Sequence, residues 1–287
     1  MAESMQQSSK FLVRIRSDFR QFLQQAEKFM MENEAMNNLL WEVGKAIEKK
    51  GSKSEVFLTV ERNDRVCLSG IISGTGYLIL TSGDIEASEE LSKFLSDKNV
   101  DLNGVTGCNE TGNAFARHWG NRTGKRITET ANLKVFFRSL EKKSYPECIG
   151  SGKMRKAEES DVDLVREWCI GFAAESKAVM DPTQLIEWAK AIVDAGDMFF
   201  WEEEQAVSMA SFGRSTPNGL VINMVYTPSR FRREGYAKSL MMALANEAQS
   251  RGAKFCCLFS EYGGKANLYE SVGFERIGQF NELSFRD

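Results

Sequence analysis

Val225-Tyr226-Thr227-Pro228-Ser229-Arg230-Phe231-Arg232-Arg233-Glu234-Gly235-Tyr236-Ala237-Lys238 joins a strand-like run to a helix-like one. The β-branched and aromatic residues from Val221 to Thr227 favour an extended chain, which Pro228 stops. A basic turn follows, then Gly235, then a helix-forming stretch from Tyr236 to Arg251. A strand, a cationic turn, a glycine and a helix start together present backbone N–H groups at the positive end of a helix. That arrangement suits a phosphorylated ligand.

The rest of the composition narrows the setting. A length of 287 residues is enough for two domains of ordinary size. Hydrophobic residues make up 42% and charged residues 27%, the profile of a globular protein. A formal net charge of -3 gives no global pull toward nucleic acid or an anionic membrane. No apolar run reaches the roughly 20 residues that span a bilayer, and residues 1–10 are polar, so a cytoplasmic location is expected. The six cysteines show no C-x-x-C spacing, and His118 is the only histidine, so neither disulfides nor a metal site is expected.

Working outward, residues 11–49 read as helices, because Phe11, Ile15, Phe19, Phe22 and Phe29 recur near helical spacing. Glu55 to Arg62, Val66 to Ser73 and Tyr77 to Ser82 read as successive strands joined by Asn-Asp and Gly-Thr-Gly turns. Ser88 begins a capped helix, Asn109 to Asn121 forms another, and Ile127 to Leu140 is extended. Glu141 to Gly152 carries charges, Pro146 and glycines, and is the linker candidate. It separates a flexible tail (1–10) and an N-terminal α/β domain (11–145) from a C-terminal domain (151–287). That second part runs strand (153–156), helix (161–174), helix (182–195), strands (198–202, 206–213, 220–227), the long helix, strand (254–259), helix (265–271) and a last strand near 283–286. The expected class is α/β (α+β), with a mixed central sheet flanked by helices. The first half shows a similar succession without a basic-glycine turn, and reads as a degenerate copy of the second.

Arg232-Arg233-Glu234-Gly235-Tyr236-Ala237 resembles the R/Q-x-x-G-x-G/A signature of the GNAT superfamily of N-acetyltransferases. Asn267-Leu268-Tyr269-Glu270-Ser271-Val272-Gly273-Phe274 is similar to that family's L-Y-x-x-x-G-F element. The resemblance covers Gly152 to Asp287. It implies acyl transfer from acetyl-CoA, as cosubstrate, to a primary amine of a small molecule or peptide. It further implies pyrophosphate on the N–H groups of Arg233, Glu234, Gly235, Tyr236, Ala237 and Lys238, with added charge from Arg232. The pantetheine arm would lie along Val225, Tyr226 and Thr227, a strand splayed from its neighbour in the family. Tyr269 is by resemblance the general acid toward the leaving thiolate. A phenol with a pKa of about 10 protonates a thiolate of about 8.5 only uphill, so a hydrogen-bond donor is the other reading of Tyr269.

Departures stand beside these matches. Arg233 fills a place often held by glycine, Glu234 puts a carboxylate where a basic residue is frequent, and the expected asparagine is Tyr262, with Asn267 as its replacement candidate. At the strand position where some relatives carry a glutamate base stand Cys257 and Leu258. Glu261 is the nearest carboxylate, either acting through a water or solvated. Trp168, Trp188 and Trp201 read as core, His118 as a surface or packing residue, and Glu202 to Glu204 as a hairpin tip. The alternative to an enzyme is a catalytically weak CoA or acyl-CoA sensor or interaction module. A homodimer is compatible with either.

Overall fold

The computed structural model describes residues 11–51, 54–141, 151–176, 182–261 and 268–287, with residues 182–186 described by their backbone. In chain order the elements are β1 (Leu12–Arg16), α1 (Phe19–Glu32), α2 (Asn38–Lys50), β2 (Val56–Arg62), β3 (Arg65–Ile72), β4 (Tyr77–Leu80), α3 (Ile85–Asp97), β5 (Gly104–Cys108), α4 (Asn109–Thr123) and β6 (Arg126–Ser139). They continue as β7 (Lys153–Lys156), α5 (Val162–Glu175), α6 (Pro182–Asp194), β8 (Met198–Glu202), β9 (Ala206–Ser215), β10 (Gly219–Tyr226), α7 (Tyr236–Ser250), β11 (Phe255–Ser260), α8 (Leu268–Ser271) and β12 (Glu275–Arg286). The second ten elements repeat the order of the first: strand, two helices, three strands, helix, strand, helix, strand. The class is the expected mixed α/β sheet flanked by helices.

The chain forms two compact units, residues 1–133 with 278–287 and residues 134–277. The second is one continuous stretch of sequence, inserted between the two pieces of the first. In the first unit the strands lie in the order β1-β2-β3-β4-β5-β12; in the second, β7-β8-β9-β10-β11-β6. Each sheet therefore takes its last strand from the other half of the sequence. Phe280 to Ser284 of β12 run antiparallel to β5, and Lys134 to Ser139 of β6 run antiparallel to β11.

Three expectations are corrected. Residues 12–16 are an edge strand rather than helix, paired antiparallel with β2 from Leu12↔Glu61 to Arg16↔Phe57. The last strand begins at Glu275, well before Leu283. Ser88 also proves to be buried inside α3, whose N-cap is Asp84 with its carboxylate accepting from the Ala87 N–H. The linker candidate falls mostly on residues 142–150, outside the described residues.

In the second unit α7 builds one side of the core. Leu240, Met241, Leu244, Ala245 and Ala248 are buried on it with Phe136, Phe199, Phe212, Ile222 and Leu258. Each large apolar side chain so buried contributes roughly 1.5–3 kcal/mol relative to exposure. Another cluster gathers α5 and α6: Val165, Trp168, Cys169 and Ala189 with Phe200, Met209 and Met224, and with Tyr226 packed against it. Val225 packs with the α7 cluster and Tyr226 with the α5 cluster. The end of β10 thus presents side chains to both faces of its sheet.

Candidate functional site

The site starts from how β10 leaves its neighbours. It pairs in parallel with β11 only at Gly219↔Phe255, Leu220↔Cys256 and Val221↔Cys257. From Ile222 onward it has no β11 partner, although both strands continue. On its other side the register with β9 shifts between Val221 and Ile222 and again between Asn223 and Tyr226. Met224 lies within the second shift at φ 52, a left-handed backbone that bulky residues rarely adopt. The bulge turns the strand end out of register and leaves a cleft between β10 and β11 edged by main-chain groups.

Not all of those groups are free. The Ser208 hydroxyl donates to the Tyr226 carbonyl at 3.2 Å and lies 2.9 Å from the Thr227 hydroxyl. Arg232 Nε donates to the Thr227 carbonyl at 2.8 Å. Along Val225 to Thr227, two of the three carbonyls thus already hold a side-chain donor, though each keeps a second lone pair.

The turn after β10 ends in an open helix start. Pro228 begins a short 3-10 turn over Ser229 to Phe231. Arg233 then has φ 72 and Gly235, the N-cap of α7, has φ 83. For glycine this conformation is free of strain; for Arg233 it costs about 1–2 kcal/mol. Left-handed residues on both sides of Glu234 curl the chain so that successive N–H groups converge. No side chain caps α7, and its first backbone bond is from the Ser239 N–H to the Gly235 carbonyl at 3.0 Å. The N–H groups of Tyr236, Ala237 and Lys238 thus face outward at the positive end of the dipole. Arg232, Arg233 and Glu234 are exposed, and residues 235–238 are half-buried.

The side chains around this start are tied to carboxylates. Arg232 Nη2 donates to both Glu175 oxygens at 2.6 and 2.7 Å. The Tyr226 hydroxyl donates to Glu175 Oε1 at 3.3 Å. Burial, then the Glu175 charge, pushes the Tyr226 phenol above its ordinary pKa. The Tyr236 hydroxyl donates to Glu203 Oε2 at 2.9 Å, and that bond, holding the phenol's proton, raises its pKa as well. Glu203 belongs to the β8–β9 hairpin tip, as expected. A cavity of about 600 Å³ opens there, lined by Ser151, Lys153, Glu203, Phe231 and Tyr236 among others.

Tyr269 sits on α8, its ring 5.4 Å from that of Phe136 and 6.4 Å from that of Phe274. Its phenol is hydrogen-bonded to the side chain of Ser260, the last residue of β11. The residue is half-buried, and desolvation of the phenol raises its pKa. Tyr269 is therefore held by the strand that borders the cleft, at the end where β10 has diverged.

Asn267 falls outside the described residues. Glu261 is exposed. His118 pairs with Glu89 at 2.9 Å on the surface of the first unit. Trp168 and Trp201 are buried, and Trp188 packs half-buried with the α5 cluster. Sequence reasoning missed Glu175, Ser208 and Ser260. A glutamate closing a helix that has no basic residue in its last turn, and a serine inside the apolar run 206–212, were the available signals.

The first unit has the corresponding elements in another state. β4 pairs with β5 along its whole length, from Tyr77↔Gly104 to Leu80↔Gly107. The start of α3 is closed by Asp84, which also pairs with Arg62 at 2.5 Å.

Residues 171–283 match the family model described as an acetyltransferase (GNAT) domain. No curated protein matches the chain. Among solved structures, a Drosophila protein is 14% identical and superposes with a TM-score of 0.63 over 97% of this chain and 99% of its own. A GCN5-related N-acetyltransferase from Sphaerobacter thermophilus is 12% identical, with a TM-score of 0.59 over 96% and 95%. A GNAT-family acetyltransferase from Colwellia psychrerythraea is 13% identical, with a TM-score of 0.56 over 96% and 98%. At these identities the likeness is one of fold, and it extends over both halves of the sequence. The chain has the GNAT-superfamily acetyltransferase fold across most of its length.

Proposed function

We propose that this protein is an acetyl-CoA-dependent N-acetyltransferase acting on a primary amine of a small molecule or peptide. The observation that carries the reading is the divergence of β10 from β11 beside an uncapped helix start. The diphosphate of CoA binds the N–H groups of residues 233–238, where converging donors and the helix dipole act together. Arg232, Arg233 and Lys238 add Coulomb attraction, weakened by solvent. The pantetheine arm lies along Val225 to Thr227 as an added strand.

The acceptor must arrive as the neutral amine. Its nitrogen forms a bond to the thioester carbon, and the carbonyl oxygen takes up the negative charge. A main-chain N–H at Tyr226 or Thr227 stabilises that oxygen, a contact worth about 3 kcal/mol when preorganised. The C–S bond then breaks and the electron pair leaves on sulfur. The shielded Tyr269 phenol, with its raised pKa, keeps its proton and serves the sulfur as a hydrogen-bond donor. The amine's proton passes to solvent.

The first unit supports a division of labour. It repeats the element order but has a closed helix start and no divergence between β4 and β5. We read it as a degenerate copy that does not bind the cosubstrate.

The test is thermal melting with and without saturating CoA, followed by thiol release from acetyl-CoA across a panel of amines. Stabilisation by CoA together with amine-dependent thiol release is expected. An unchanged melting temperature at saturating CoA overturns the reading. Stabilisation without transfer to any amine replaces the enzyme by a CoA-binding module.

A further inference from the structure

Arg232 stands one residue before the left-handed Arg233, next in sequence to the proposed diphosphate seat. In the structure its guanidinium is engaged by other groups. Its Nε serves the Thr227 carbonyl, and its Nη2 serves both oxygens of Glu175. Glu175 is an unusual partner. It lies in the last turn of α5, the negative end of the helix dipole, where no basic residue of the same turn offsets its charge. The carboxylate is held from two sides, by Arg232 and by the Tyr226 hydroxyl.

We propose that Glu175 is a positioning residue that holds Arg232 away from the diphosphate, so that cosubstrate binding has to take this guanidinium from a carboxylate. The inference rests on the CoA reading above. The two anions compete for the nitrogens of one side chain, and whatever stabilises the Glu175 pairing is subtracted from CoA affinity. The competition is finely balanced. The arginine and glutamate side chains are 42% and 49% exposed. A pair so open to solvent moves an equilibrium by no more than about fivefold. A diphosphate on converging amides overcomes it, yet the pairing still tunes the binding constant.

Calorimetric titration of CoA into the full chain tests this with Glu175→Gln, Arg232→Met and the double variant. Glutamine keeps the shape of the side chain and an oxygen for Tyr226. Removing the glutamate charge is expected to tighten CoA binding about threefold, the size of one released surface ion pair. Arg232→Met alone weakens binding. In the Arg232→Met background, Glu175→Gln brings no tightening, because there is no guanidinium to release. Unchanged or weaker binding by Glu175→Gln overturns the proposal. So does a tightening of the same size in both backgrounds, which would come from the carboxylate's field alone. Wild-type protein that fails to bind CoA defeats the functional reading and this inference together, an outcome distinct from binding that ignores Glu175. Melting curves of each variant verify folding, and Glu175→Ala serves if the glutamine variant fails to fold.

Discussion

A Cβ placed on Gly171 would come within 2.5 Å of the Tyr226 hydroxyl and 2.9 Å of its Cζ. The tyrosine ring has little room to retreat, with the Trp168 ring centroid 6.3 Å away and Glu175 accepting from its hydroxyl. Gly171→Ala should therefore displace the side chain that closes β10. Overpacking costs about 1–3 kcal/mol, while alanine in a helix recovers up to about 1 kcal/mol. The expected result is a modest fall in Tm and a tenfold or larger loss (roughly) in kcat/KM, as small misplacements near reacting atoms produce. Kinetics and melting of the single variant, beside a Gly171→Ala, Tyr226→Phe double variant that relieves the shortest contact, check this.

Gly235 has φ 83 and open space where a Cβ would stand. Gly235→Ala meets no clash and carries only the backbone cost of about 1–2 kcal/mol, a fall in Tm of roughly 2–8 °C. Gly235→Pro forces φ to about −65° and removes an N–H. It should abolish the stabilisation by CoA. A proline variant that still melts higher with CoA would place the ligand elsewhere.

Tyr269→Phe removes the phenol and keeps the ring against Phe136. The expected loss is about 10²-fold in kcat, within the usual range for a lost proton or hydrogen-bond donor, with CoA affinity unchanged. Because burial holds the phenol above its ordinary value of about 10, kcat should show no alkaline decline from Tyr269 below about pH 10. A decline near pH 8.5 that disappears in Tyr269→Phe would contradict this assignment.

Arg155 joins β7 to the start of α5. It donates to Asp161 at 2.6 and 3.0 Å and pairs with Glu202, while Asp161 also accepts from the Glu158 N–H at 2.8 Å. The Arg155 bonds hold the Asp161 carboxyl below its ordinary range. A lowered carboxylate stabilises the fold above its unfolded pKa of about 3.9, and the contribution is lost as pH falls through the native value. Asp161→Asn should cost about 1–2 kcal/mol at pH 7, and the gap from wild type should shrink below about pH 4. Urea unfolding of both proteins at neutral and acid pH measures the gap.

Titration should find about one CoA site per chain, since an anion needs an open helix start and Asp84 closes that of α3. Asp84→Ala should lower stability by about 1 kcal/mol without creating a second site, because β4 and β5 remain paired along all of β4. Two equivalents bound per chain would refute the division of labour.

Much of the second unit was legible because its signals are local. Pro228 and Gly235 punctuate the turn, and α7 alternates apolar and polar faces over 15 residues. The first strand was not legible. A spacing of four residues, as from Phe11 to Ile15 to Phe19, fits a helix, but it is even and fits a strand equally well. Only the pairing of Leu12 with Glu61 decides, and that lies 49 residues away in sequence. The start of β12, Glu-Arg-Ile-Gly-Gln, lacks strand propensity and is extended by its place in the sheet. The Arg232–Glu175 pairing spans 57 residues, and neither residue's neighbours announce it. Local chemistry marked the turn, whereas the partners that set its charge come from the tertiary fold.

The exchange of end strands also orders the birth of the protein. Residues 278–286 complete the sheet of the first unit, yet a ribosome synthesises them only after the whole of the second unit. Chains usually fold N-terminal domain first, as synthesis proceeds at about 5–20 residues per second. Here the leading half emerges with the β5 edge of its sheet bare, and must wait for residues 134–277 to be translated before its own edge is sealed.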